Sequence, residues 1–156
     1  MTAANAREFL EFTRQINFAL EMTRDTLKDI EEGINFICAL DKKYKDSPEV
    51  KALQRLHRAA MEKQREERRA QQIVKDYINS LKDNRKKEYL IYYVAEYVTD
   101  KKIQDKFFYA DLNAVYKLKG KAAEILAEMP AEEKKKIKTI MKDSEKNFLF
   151  FLKRSC

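Results

Sequence analysis

Two glycines (Gly33, Gly120) and two prolines (Pro48, Pro130) are all that punctuate 156 residues. Sheet-containing folds need turn residues at much shorter intervals, so a β-sandwich or an α/β fold is excluded. Histidine occurs once, at His57. No His, Cys or carboxylate cluster surrounds it, so it reads as a packed or partly exposed side chain rather than a ligand or a general base. The two cysteines, Cys38 and Cys156, stand far apart without metal-ligand spacing, which fits reduced thiols in a cytoplasm. Cys156 does not stand four from the end, as a prenylation signal requires. No apolar run approaches the roughly 18–20 residues of a membrane span, and Met1 to Ala4 open no secretory leader. There is no phosphate-binding glycine loop, no nucleophile elbow and no Glu-x-x-His pair. The expectation is a protein with no catalytic residue, no cofactor and no metal.

What the chain has is helix formers and positive charge. Lys, Glu, Ala, Leu and Gln dominate. Hydrophobic residues make up 44%, enough for a core. The formal net charge is +7, which favours polyanionic partners, nucleic acid before anionic membrane.

The fold class expected is all-α, in three segments: a coiled-coil-like helical hairpin over 1–82, a helix-turn-helix over 83–129, and a basic, aromatic C-terminal helix over 130–156. From Ala6 to Asp41, Phe9, Ile16, Thr23, Ile30 and Ile37 recur every seven residues, and Leu20, Leu27 and Ile34 sit four after three of them. This spacing makes one apolar seam on a long helix that needs a partner helix. Phe12, Phe18, Phe36 and Leu40 widen it, and Gly33 is a weak point within it. Asp41 to Asp46 is a connector. Ser47-Pro48-Glu49 starts a second helix, with Ser as cap and Pro in the first turn. It runs to about Leu81. Val50, Leu53, His57 and Ala60 continue the seam; Gln64, Glu67 and Gln71 interrupt it; Val74, Ile78 and Leu81 resume it. The polar middle, Glu62 to Gln72, reads as a solvated face, with Glu66 and Glu67 as surface charges.

Beyond Asn84 the run Glu88 to Val98 is dense in aromatic residues. As a helix it places Tyr89, Leu90, Tyr93, Val94 and Tyr97 on one face, as packing residues. Thr99 caps a short helix from Asp100 to about Phe107, and a tight turn lies at Phe108-Tyr109-Ala110. Asp111 caps a helix to about Met129, and Pro130 starts the last one. Helix, short helix, tight turn, helix is the plan of a helix-turn-helix, whose last helix enters the DNA major groove. Ile103 and Phe107 face inward, as do Val115, Leu118, Ala122 and Leu126. Asn113, Lys117, Lys119 and Lys121 are placed outward, the lysines for phosphates and Asn113 for a base edge. Lys134, Lys135, Lys136 and Lys138 read as a solvated face, and Phe148 to Leu152 as too apolar to be wholly exposed.

Tyr89-Leu90-Ile91-Tyr92-Tyr93-Val94, Thr99-Asp100-Lys101-Lys102-Ile103 and the stretch from Ala114 to Ala122 (AVYKLKGKA) resemble region 4 of sigma factors. More closely, they resemble the ArpU-type late-gene transcription regulators of phages and prophages. The opening Ala6 to Leu10 and the seam after it are similar to the N-terminal half of those proteins. The resemblance is specific from Tyr89 to Leu126. It implies a DNA-binding transcriptional regulator whose DNA-contacting residues are Lys101, Lys102, Asn113, Tyr116, Lys117, Lys119 and Lys121. It implies double-stranded DNA and RNA polymerase as partners, and a homodimer through the N-terminal helices or the C-terminal aromatic helix. The chain departs from the pattern in four places. The turn lacks the usual glycine, Lys102 stands where a capping-box Glu is expected, Gly120 lies inside the recognition helix, and the last helix has no counterpart. The competing reading is a helical protein-interaction module, an adaptor or inhibitor that does not touch DNA. A peripheral membrane binder using the basic last helix is the weaker third.

Overall fold

The computed structural model describes residues 2–154, and Cys156 lies outside them. Their regular structure is entirely helical. Helix α1 spans Ala3–Leu40, a 3₁₀ turn Lys42–Asp46 and α2 Pro48–Ser80. Helix α3, Arg85–Leu90, passes directly into a π-helical turn, Ile91–Ala95. Then follow α4 (Asp100–Lys106), α5 (Leu112–Ala127) and α6 (Ala131–Arg154). The all-α expectation holds, with a long first helix. No described helix is long and apolar enough to cross a membrane.

The boundaries follow local chemistry. Ser47 Oγ accepts from Val50 N at 3.2 Å, and Pro48 takes the first helical position, where its missing N–H costs nothing. Asn84, Thr99 and Asp111 cap α3, α4 and α5 with side-chain oxygens on early helical N–H groups. Each such cap contributes about 1 kcal/mol.

Contacts divide the chain into two units that cut across the chain-order segments. One comprises the residues up to Phe18 with Ala70–Ile137, the other Ala19–Arg69 with the residues from Lys138. In the first unit the buried core comprises Phe9, Leu10 and Ile16 of α1 and Val74 and Ile78 of α2. It continues through Tyr89, Leu90, Tyr93, Val94, Ile103, Phe107, Val115, Ala122, Leu126 and Ile137. A π turn releases carbonyls from the regular helical ladder, and α1 supplies the donors for them. Arg14 Nη1 donates to the carbonyls of Tyr93 (2.6 Å) and Val98 (2.9 Å), and Asn17 Nδ2 donates to Val94 O. The Arg14 guanidinium also lies 4.1 Å over the Tyr93 ring and 4.3 Å over that of Tyr97. Gln71 on α2 donates to Asn17 Oδ1 at 2.7 Å, holding that amide in place.

In the second unit Leu27, Ile30 and Ala60 form a cluster against which Ile34, Leu53, Leu56 and Phe148 pack. Phe148 thus docks inward, while Leu149 and Phe150 remain exposed, as do Phe36 and Leu40 at the end of α1. His57 is half-buried, its Nε2 3.0 Å from Glu31 Oε1.

The polar middle of α2 requires a correction. Glu67 is not a surface charge: it is 1% exposed, and Thr23 Oγ1 donates to its Oε1 at 2.6 Å. Gln64 is buried as well. Gln64, Glu67 and Gln71 keep the seam's helical spacing, so they face inward, and α1 presents a polar residue at its own seam position, Thr23. The seam is continued there by hydrogen bonds instead of apolar contact. Burial raises the Glu67 carboxyl above its ordinary value, and Glu145 adds to this; the Thr23 bond and Lys63 pull it down without restoring it.

Two predictions follow from this packing. A Cβ on Gly33 would sit 3.6 Å from Leu53 Cδ1, an ordinary contact in mid-helix. Gly33→Ala is therefore expected to raise unfolding free energy by about 0.5–1 kcal/mol in urea titration. For Glu67 the folded state holds its proton more tightly than the unfolded state. Its contribution to stability is present below the unfolded carboxyl pKa and lost as pH rises through the raised folded value. Glu67→Gln should raise the urea midpoint at neutral pH, with the gain shrinking as pH falls into the carboxylate range. A gain independent of pH would contradict this account.

Candidate nucleic-acid interface

Helices α4 and α5 keep the buried row expected of them. Ile103 and Val115, Ala122 and Leu126 are 0% exposed and Phe107 nearly so, while Leu118 is half-buried. Thr99 and Asp111 hold the starts of α4 and α5, accepting from Lys102 N at 3.4 Å and from Ala114 N at 3.1 Å. The turn between them does use the left-handed backbone that glycine usually supplies, but at Phe108, with φ 56°. For a non-glycine residue this costs about 1–2 kcal/mol. Hydrogen bonds offset it: Tyr109 N donates to Gln104 O (3.1 Å), Phe108 N to Asp105 O (3.2 Å), and Gln104 Nε2 to Tyr109 O (3.3 Å). Tyr109 packs edge-on against Phe107, and the Phe108 ring itself is 92% exposed.

With one side of α5 buried, its other side is set. Asn113, Tyr116, Lys117 and Lys121 are all exposed, and so are Lys101 and Lys102 in the first turn of α4. Further along the same face stands Glu124, also exposed, and Glu128 lies just past the end of α5, so the cations Lys117 and Lys121 occupy the middle of the helix. The structure thus brings Asn113, Tyr116, Lys117 and Lys121 to one face.

Lys119 is not part of it, which corrects the outward placement expected from sequence. Its ammonium is 3.2 Å from Asp100 Oδ2 and 3.3 Å from Glu11 Oε1, and it donates to the Tyr93 hydroxyl at 2.9 Å; its side chain is 18% exposed. Tyr93 in turn donates to Glu11, and Tyr89 donates to Asp100 Oδ1 at 2.7 Å. Burial alone would lower the Lys119 pKa, but the Tyr93 hydroxyl and Asp100 carboxylate outweigh it and hold it above the ordinary lysine value. Burial, then the bond to a carboxylate, raises both tyrosines. The signal was present in the sequence. Lys119 lies four after Val115 and three before Ala122, on the buried side of the helix. The basic run from Lys134 also loses a member, because Lys134 Nζ donates to Ala127 O at 2.6 Å, at the end of α5. Lys135, Lys136 and Lys138 are exposed.

Among the described residues no group of three or more His, Cys, Asp or Glu side chains is placed to hold a metal ion. Comparison with known proteins adds no neighbour: no family model matches the chain, and no curated protein and no solved structure matches it.

Removing the Lys119 ammonium strands Asp100 and Glu11 beside one another. Lys119→Met is expected to destabilise the fold by about 2–3 kcal/mol, read as a lower urea midpoint. Lys117→Ala, on the solvated face, should stay within about 0.5 kcal/mol of the parent. Equal stability of the two variants would refute the inward assignment.

Proposed function

We propose that the protein binds double-stranded DNA through α5 and acts as a transcriptional regulator of the kind that its resemblance to ArpU-type and sigma region 4 sequences implies. The observation that carries this reading is the exposed face of α5, where Asn113, Tyr116, Lys117 and Lys121 project together from a capped helix seated on a helix-turn-helix core. In the mechanism that follows, α5 enters the major groove. Lys117 and Lys121 contact phosphates and fix its register, Asn113 reads a base edge, and Tyr116 offers a ring edge to thymine methyl groups. Lys101 and Lys102, where the α4 dipole is positive, hold the flanking backbone. Lys119 has no role at the DNA; it sets the rotation of α5.

Exposed apolar side chains are consistent with contact with protein: Phe36 and Leu40 on α1, and Leu149 and Phe150 on α6, are exposed in the unit that does not carry α5. RNA polymerase or a second copy of the chain is the partner this reading implies.

The test is a gel shift with duplex fragments across a salt series. Binding should weaken steeply with salt, by about 0.9 in log–log slope for each phosphate contact. Lys117→Ala with Lys121→Ala should abolish the shift and leave thermal stability intact. Unchanged binding in that double variant would refute α5 as the recognition helix. No shift at any salt, with a co-purifying protein, would favour the interaction module.

A further inference from the structure

Gly120 is an odd residue for the middle of α5, where it lowers helix stability by about 1 kcal/mol against alanine. Its surroundings explain it. A Cβ built at position 120 would lie 3.2 Å from Nη2 of Arg7, tighter than side chains ordinarily pack. The guanidinium from α1 therefore occupies the space beside Gly120 and would have to give way by a few tenths of an ångström to a side chain there. Gly120 follows Lys117 by one turn and adjoins Lys121, so the seat lies within the basic face. Arg7 itself is exposed and enters no ion pair among the described residues. The nearby acids do not neutralise it. Glu11, one turn along α1, is committed to Lys119 and Tyr93, and Glu124, one turn along α5, makes no pair with it. Arg7 thus brings a cation from a different helix to the face of α5 that carries Lys117 and Lys121, and no carboxylate pairs with it among the described residues. Guanidinium suits phosphate in particular, because its planar fork can donate two parallel hydrogen bonds.

We propose that Arg7 is a further DNA-phosphate contact, and that Gly120 is there to let it reach the face of α5. This rests on the DNA-binding reading above and adds α1 to the interface. Arg7 positions the duplex against the middle of α5, while the earlier residues of that helix read bases.

The test uses the full chain and a fluorescently labelled mixed-sequence duplex, with affinity measured by anisotropy across a salt series. Arg7→Gln should weaken binding to every duplex alike and reduce the log–log salt slope by about one, with the thermal midpoint unchanged. Arg7→Lys should keep the slope while losing part of the affinity. Gly120→Gln, which fills the seat with a neutral helix-forming side chain, should reproduce the slope of Arg7→Gln. If the parent binds and Arg7→Gln keeps its slope, Arg7 is no phosphate contact and the proposal fails, while DNA binding through Lys117 and Lys121 stands. If Arg7→Gln lowers the thermal midpoint and leaves the slope alone, Arg7 is a structural residue and the proposal fails equally. If the parent binds no duplex at any salt, both readings fall.

Discussion

The orientation of α5 depends on one half-buried ammonium. Lys119 reaches Asp100 of α4, Glu11 of α1 and the hydroxyl of Tyr93 at once. Apolar packing of Val115, Ala122 and Leu126 decides which side of α5 is inward but is tolerant of small rotations, because dispersion contacts are non-directional. A lysine with three fixed acceptors is not tolerant. It ties α5 to the first turn of α4, where Asp100 is also the acceptor for Tyr89, and to the first turns of α1. The angular position of Asn113, Tyr116, Lys117 and Lys121 follows, so the cation that contributes least charge to the surface does most to determine where the others point.

The same logic extends along α1. Its side chains Glu11, Arg14 and Asn17 lie at successive turns of one face, and each meets a polar group that the apolar core leaves over. Glu11 takes Lys119 and Tyr93, Arg14 takes the carbonyls of Tyr93 and Val98, and Asn17 takes that of Val94. The π turn at Ile91–Ala95 would expose unsatisfied carbonyls inside the protein without these donors, at a cost of about 1–3 kcal/mol each. Helix α1 is thus more than a strut or a dimerisation segment. It completes the hydrogen bonding of the π turn and of α5, which accounts for the contact unit that joins the chain up to Phe18 with Ala70–Ile137.

What was legible in the sequence was local. The ends of α1, α2, α4 and α5 fall within a few residues of expectation because Ser47, Pro48, Thr99, Asp111 and Pro130 act on their own neighbours. The inward rows of α4 and α5 followed from period alone. What was not legible depended on a partner from elsewhere in the chain. Glu67 reads as solvated because its class is rarely buried, although its seam spacing and Thr23 at the matching position of α1 mark it otherwise. Lys119 was placed by residue type when its spacing from Val115 and Ala122 argued the opposite. The missing turn glycine did not remove the positive φ: Phe108 adopts it, held by Gln104. Gly120, a defect when α5 is viewed alone, has a reason once Arg7 is beside it.

These placements change how a net charge of +7 is to be understood. Lys119, Arg14 and Lys134 spend their charge on carboxylates, carbonyls and aromatic rings inside the protein, so their positions say nothing about an external partner. Lys101, Lys102, Lys117 and Lys121 stand exposed and unpaired among the described residues, and they belong to the two helices of the helix-turn-helix. Glu124 and Glu128 close the far end of the α5 face. A surface made basic only for solubility would intersperse its signs along that helix, as α2 does with its Glu62–Arg65 and Glu66–Arg69 pairs. On the exposed face of α5 the signs are segregated instead, Lys117 and Lys121 in the middle of the helix and Glu124 and Glu128 after them. That order leaves the face positive around Lys117 and Lys121 and negative beyond them, which is the distribution the proposed DNA contact requires.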